Sequence, residues 1–430
     1  MRQIGAILLA AYAFSMTLYS QANDKFADDW DKEHVSTLLP SNVRHAELKT
    51  YLDDLKKLGI PVTEVCRSFA NREIYQVEWG KGPLKIIMWS QMHGDEPTAT
   101  SALIDMFAYL KKSRDKDLVK KIEETVTIHA VPMLNPDGAE TYQRRSWQGI
   151  DINRDAIDLK TPEARLLKRL RDDWNPSIGF NLHNQGSLTT VGRSLNQATI
   201  ALLVVYGDAA KTASVGHERN QRLAAAMAAA LQKLIPGHVS RYSDEWTPTA
   251  FGDNFSAWGT PTLLVETGAL QGKNEMFLVK LNFVAFMTAL ESLATGAEKT
   301  QDLTPYTSLI ENGSGGLYNL IFRNTSVAGS LPTDIAVNVQ RQRSGFSQFC
   351  LIANMGDLRG LHGFEEYDAA GFNVVQRFRE TRVGSLADLL FYKKERTVDW
   401  SSTELEKQFP PDAIFSGGKW TVGEKVIPRK

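Results

Sequence analysis

The sequence predicts an α/β domain followed by a smaller β-rich region, and three observations carry that expectation. Between His45 and Ala297, short apolar runs that read as strands alternate with segments of helical periodicity. The residues best suited to chemistry fall at the ends of those apolar runs, where open α/β sheets bind ligands. Past Ala297 the composition shifts: Gln301 to Gly316 holds a proline and several Ser, Thr and Gly, and the apolar runs beyond it are short and β-like.

In chain order, Met1-Arg2 is a brief positive start, Ile4 to Tyr19 is apolar, and Ser20-Gln21-Ala22 supplies small residues. This reads as a secretory signal peptide (residues 1–22) cut after Ala22, which implies a secreted or periplasmic protein. A membrane anchor, the other reading, needs about 20 apolar residues, so no stable anchor is expected. Asn23 to Pro40 is polar and reads as a loosely ordered lead-in. Leu48, Tyr51, Leu52, Leu55 and Leu58 mark one face of a helix from His45. Val62 to Phe69 and Glu73 to Trp79 read as a hairpin, Leu84 to Trp89 as a buried strand, and Pro97 to Leu110 as a helix. Leu118 to Glu124 continues helically, and Val126 to Met133 is a second apolar strand running into the turn Leu134-Asn135-Pro136-Asp137-Gly138. Thr161-Pro162-Glu163 opens a helix, Ile178 to Leu182 is a strand ending at His183, and Thr199 to Tyr206 is another apolar run. Gln221 to Leu234 is an alanine-rich helix and Arg241 to Gly259 a polar loop. Thr262 to Val265 is a strand ending at Glu266, and Asn274 to Leu293 a long apolar helix. The β-rich region spans about residues 317–394, and residues 397–430 read as a polar tail.

The chain has 430 residues, 43% hydrophobic and 23% charged, with a formal net charge of -1, so nothing points to nucleic acid as a partner. Its two cysteines, Cys66 and Cys350, are as compatible with one bridge as with two separate thiols.

His93 and Glu96 follow the strand Leu84 to Trp89 and precede a helix. An imidazole and a carboxylate three residues apart on a tight turn can converge on one Zn²⁺. Alone, such a tetrad is a chance-level signal in a chain with eight histidines, and His362 with Glu365 is a second one. That second tetrad has no long strand before it and no arginines after it. His129, His217 and His238 read as structural or surface histidines. Four features do fall at strand ends or in the loops after them: His93 with Glu96, the segment Arg144 to Arg154, His183, and Glu266. Two histidines and a carboxylate make a three-ligand zinc site with the fourth position open. A further carboxylate can serve as general base, and nearby arginines can grip an anion or stabilise an oxyanion.

In these residues the sequence resembles the zinc carboxypeptidase family, the carboxypeptidase A-like metallopeptidases. The resemblance rests on His93/Glu96, Asn135-Pro136-Asp137-Gly138, Arg144, Asp151-Ile152-Asn153-Arg154, His183, and Glu266 in Val265-Glu266-Thr267-Gly268, in that order, across about Leu48 to Leu293. It implies a mixed β-sheet flanked by helices, with one Zn²⁺ per chain held by His93, Glu96 and His183. It implies Glu266 as general base and Arg144 as oxyanion stabiliser, with Arg145 the other candidate. Asn153 and Arg154 would bind the terminal carboxylate of a peptide or peptide-like substrate. The implied activity is metallocarboxypeptidase. The same zinc set would also serve a hydrolase of cell-wall peptides or N-acyl amino acids, or survive in a non-catalytic binder of C-termini.

Two features depart from the family pattern. The substrate-closing tyrosine of digestive members has no clear match among Tyr242, Trp246 and Thr247, and the specificity pocket is expected near Phe251, Gly252 and Asp253. Asp253 could face a basic side chain or pack structurally, and Asp155 could orient Arg154. The segments Leu317 to Asn324, Thr333 to Val337 and Tyr367 to Gly371 resemble the small β-domain of amidohydrolases, which implies a non-catalytic module.

Overall fold

A computed structural model describes residues 25–314, 316–341, 348–377, 381–423 and 426–429. The expected signal peptide lies outside them. The chain divides into two compact units, residues 1–187 with 196–312, and residues 188–195 with 313–430.

The first unit is built on an eight-stranded sheet: β1 (Val62–Arg67), β2 (Glu73–Gly80), β3 (Leu84–Ser90), β4 (Val126–Val131), β5 (Ile178–Asn184), β6 (Ile200–Val205), β7 (Val239–Arg241) and β8 (Thr262–Thr267). Their spatial order is β1-β2-β4-β3-β5-β8-β6-β7. The central pairs β4–β3, β3–β5 and β5–β8 are parallel, whereas β1–β2, β2–β4 and β6–β8 are antiparallel, so the sheet is mixed.

Period-2 alternation along β3 sends Ile86 and Met88 into one core and Ile87 and Trp89 into another on the opposite face. The first core is completed by α1 (residues 25–33), α2 (His45–Lys57), α3 (Thr98–Lys112), α4 (Asp117–Thr125), α7 (Val215–Leu234) and α9 (Glu275–Thr295). The second is completed by α6 (Pro162–Trp174) and α8 (Phe251–Ala257). The short α5 (Pro136–Glu140) lies between β4 and α6 in the chain. By length and composition α9 could cross a membrane, but its apolar window is 78% buried inside the protein, as befits a core helix.

Two sequence expectations need correction here. The polar lead-in is not loose over its described part: α1 buries Phe26, Ala27 and Trp30. The buried Asp105 carboxylate then receives Trp30 Nε1, the N–H groups of Val35 and Ser36, and Ser36 Oγ at 2.7–2.9 Å. Within the stretch read as a polar loop, α8 forms because Phe251 and Phe255, one helical turn apart, reach the same core.

The second unit holds β9 (Leu317–Val327), β10 (Pro332–Arg341), β11 (Gln348–Gly356), β12 (His362–Asp368), β13 (Phe372–Gln376), β14 (Leu389–Lys393), β15 (Ala413–Ser416) and β16 (Lys419–Val422). They order as β11-β10-β9-β13-β14-β15-β16, with β12 also paired to β9. Residues read as a polar tail therefore contribute the last two strands. Phe322, Phe391, Phe415 and Trp420 pack with ring centroids 5.0–5.6 Å apart. His362 and Glu365 stand three apart on β12, hence on opposite faces, and cannot converge on one ion. Cys66 and Cys350 are both free thiols.

Candidate metal centre and active site

Strands β3, β5 and β8 run parallel, so their C-terminal ends lie along one edge of the sheet. His93 follows β3, His183 sits near the end of β5, and Glu266 is the penultimate residue of β8, directly across the register from His183. Beyond β3 the chain breaks sharply: Gln91 adopts φ 50°, and its side chain bonds Gly94 O and Thr100 Oγ1. Gly94 then packs on the turn around Gly138, where a Cβ would come 2.0 Å from the Gly138 carbonyl carbon. This close approach explains the glycine between His93 and Glu96. Asn135 caps α5 through Gly138 N, and its Nδ2 donates to Met92 O and Arg144 O. One amide thus ties the metal-loop turn to the arginine segment. Asp137 accepts Ser68 Oγ, Ala70 N and Arg72 Nη1, pinning the β1–β2 hairpin beside them.

His93 Nδ1 lies 2.8 Å from Glu96 Oε1, His183 Nδ1 lies 2.7 Å from Glu96 Oε2, and the two imidazole nitrogens face each other at 3.2 Å. Among the described residues, these three form the cluster of His, Cys, Asp or Glu that could hold an ion, with ligand atoms within 4.8 Å of one another. All three are buried, at 2%, 8% and 3% exposure. Neighbouring groups hold the ligands in place. His93 Nε2 meets Asp151 Oδ1 at 3.1 Å, and Asn184 N donates to Glu96 Oε2. A carboxylate on the far ring nitrogen fixes the tautomer and turns the Nδ1 lone pair toward the cluster. Arg144 confirms that polarity: its guanidinium, which can only donate, reaches His93 Nδ1 at 3.1 Å and Glu96 Oε1 at 3.4 Å while Nε bonds Asp151 Oδ2 at 2.9 Å.

Burial and neighbouring charge compete at each group. Burial pushes the Glu96 carboxyl up, but His93 and His183 hold it well below the usual range. Burial opposes charge on His93, yet Glu96 and Asp151 outweigh it and push its pKa up to about 9. Burial keeps His183 below its ordinary value. A buried carboxylate flanked by two imidazoles is a donor set for a borderline cation such as Zn²⁺, which would displace the His93 proton on binding, and these residues fit it.

Glu266 is 7% exposed, and burial, then the Glu96 charge, pushes its carboxyl well above the usual range. Arg145 turns to Gly149 O, outside the convergence that Arg144 reaches. Asn153 Oδ1 accepts the Phe251 N–H at 2.9 Å, joining the arginine segment to the start of α8. The Arg154 charge reaches Asp253 and Tyr242. Asp253 accepts the Thr247 N–H, and burial pushes it up to about 6. Asp155 gives its carboxylate to Lys160 N, Thr161 N and Thr161 Oγ1, so it shapes the entry to α6.

Sequence reasoning left two participants without roles. Asp151 was visible only as part of a motif, although it orients both His93 and Arg144. Tyr242 could not be placed. Burial, then Glu266 and Glu96, raises its hydroxyl, which sets the ring among the site's charges.

Among the described residues, His93, Glu96 and His183 thus make a buried donor set that could hold one metal ion. Residues 49–201 match the family model described as zinc carboxypeptidase. The matched span includes His93, Glu96, Arg144, Asn153, Arg154 and His183 but ends before Glu266. Carboxypeptidase SOL1 of Arabidopsis thaliana is 33% identical over 103 residues, 21% of each chain. Carboxypeptidase 2 of Trichophyton tonsurans is 30% identical over 101 residues, 23% of this chain and 18% of its own. These matches span about a fifth of the length of those relatives. A metallo-carboxypeptidase structure from Burkholderia cenocepacia aligns with TM-score 0.49 at 16% identity, covering 59% of this chain and 69% of that one.

Proposed function

We propose that the chain is an exported metallocarboxypeptidase that hydrolyses the C-terminal peptide bond of peptides. The observation that carries this reading is the register pair His183–Glu266. It sets a buried carboxylate of raised pKa beside the His93, Glu96 and His183 cluster. A pure binder of C-termini needs no such group.

His93 Nδ1, Glu96 and His183 Nδ1 would hold one zinc ion. When bound, zinc supplies a Lewis acid and a water of lowered pKa. Glu266 takes the proton of the attacking water and returns it to the leaving amine nitrogen, so a carboxyl that readily holds a proton suits both transfers. Arg144 donates to the oxygen that gains charge as the carbonyl carbon becomes tetrahedral. Asn153 and Arg154 bind the free carboxylate of the substrate, which restricts cleavage to the last bond.

The test is mass spectrometry of a peptide mixture before and after incubation with the zinc-loaded protein. Products shortened by one C-terminal residue are expected. Release of acyl groups alone, trimming of cell-wall peptides alone, or binding without turnover would each contradict the reading. Export is part of the proposal, and a mature N-terminus beginning at Asn23 is expected on sequencing.

A further inference from the structure

The sheet face that carries His183 and Glu266 continues one row deeper. Alternate residues of a strand share a face, so Asn181 stands behind His183 and Leu264 behind Glu266. The register aligns Asn181 with Leu264, and Leu264 with Leu203. Leu203, Val205 and Leu264 form a small apolar cluster of their own, with Tyr242 packed against it. Gly252 closes on the same place: a Cβ there would stand 3.1 Å from Asn181 Nδ2 and 3.8 Å from Val205 Cγ2. Gly252 follows Phe251, whose N–H is held by Asn153, next in the chain to Arg154. This row therefore adjoins both the reacting bond and the proposed carboxylate grip.

In this apolar setting, with Trp89 of β3 and Leu264 of β8 as its register partners, Asn181 is out of place. It is 3% exposed, and its Oδ1 has no hydrogen-bond partner. A buried amide left unpaired is costly, and an apolar residue of the same shape would avoid the cost. An amide kept there suits a ligand that pairs with it.

We propose that Asn181 is a specificity-determining residue. It lies at the floor of an apolar niche that receives the side chain of the substrate's C-terminal residue, and it favours a neutral side chain with an aliphatic stem and an amide or hydroxyl tip. The inference rests on the exopeptidase reading. An amide floor offers a donor and an acceptor, which a carboxamide matches on both counts. An acidic tip would lose its hydration in an apolar niche that offers only one uncharged amide. A cationic tip would lose its hydration with only an uncharged amide at the floor, since Asp253 is engaged by Thr247 N.

The experiment is calorimetric titration of N-acetylated glutamine, methionine, lysine and glutamate into a Glu266→Gln background, where turnover is suppressed. Glutamine should bind about five- to tenfold tighter than methionine, the return of one neutral hydrogen bond. Adding Asn181→Leu should invert that order. Gly252→Ala, which narrows the niche, should weaken all four ligands without reordering them. Methionine or lysine binding as tightly as glutamine, no binding of any ligand, or an unchanged order in Asn181→Leu would overturn the proposal. Should Asn181→Leu fail to fold, the order measured with Asn181 in place still decides. Loss of the glutamine preference in a chain that trims peptides sinks the niche alone. A preserved preference in a chain that trims none sinks the exopeptidase reading alone.

Discussion

Glu266 and Arg154 divide the proposed chemistry, and their substitutions should fail differently. Glu266→Gln keeps size and shape but cannot take a proton, so zinc and substrate should still bind while turnover falls about 10²–10⁴-fold. Arg154→Ala removes a charge-assisted bond worth roughly 1.5–3 kcal/mol, so free-acid peptides should lose about ten- to a hundredfold in kcat/KM. Amidated peptides, already poor substrates, should barely change. Both variants assayed on free-acid and amide forms of one peptide make the comparison. Wild-type cleavage of both forms at equal rates would remove the carboxylate grip, and full turnover by Glu266→Gln would move the base elsewhere. At this scale the sequence made the convergence of His93, Glu96 and His183 legible, because candidates fall at strand ends. His93, Glu96, His183 and Glu266 each follow an apolar run that betrays its own strand. Asn181 and Tyr242 were silent because their meaning depends on cross-strand register and on a packed neighbour, neither of which has local periodicity.

Among the elements, α6 carries a feature with a measurable pH signature. Glu163, in its first turn, is fully buried, and no side chain among the described residues hydrogen-bonds its carboxylate. Burial outweighs the backbone N–H groups of Glu163 and Phe69 and the Arg165 charge and, with Asp137 adding to it, pushes its pKa from 4.5 up to about 7. Between those two values the folded state binds more protons than the unfolded one. Stability therefore falls as pH rises through that window, then levels off above it. Glu163→Gln should erase this component and, at pH 8, gain on the order of 2–3 kcal/mol. Urea midpoints of both proteins at pH 5 and pH 8 provide the check, and a difference between them that does not change with pH would contradict it. The elements hardest to read were α1 and α8. Polar residues dilute both, and a few aromatics, Phe26 and Trp30 in one, Phe251 and Phe255 in the other, decide their burial. The last two strands were hidden for the same reason: β15 and β16 are four residues each, too short for alternation to show.

Over the whole molecule, the α/β class followed from strands and helices alternating, and the mixed order of the sheet followed only from the family resemblance. Pairing partners are long-range: β3 lies beside β4 and β5, each reached through intervening helices whose periodicity says nothing of which strands pair. In the proposed function this topology brings the ends of β3 and β5 together to hold one zinc ion, with Glu266 of β8 beside it. The most direct test is diffraction data collected at the zinc absorption edge from crystals of the zinc-loaded protein. The account predicts a single anomalous peak among His93 Nδ1, the Glu96 carboxylate and His183 Nδ1, lost in His183→Ala. A peak elsewhere in the chain, or one that persists undiminished in His183→Ala, would contradict it.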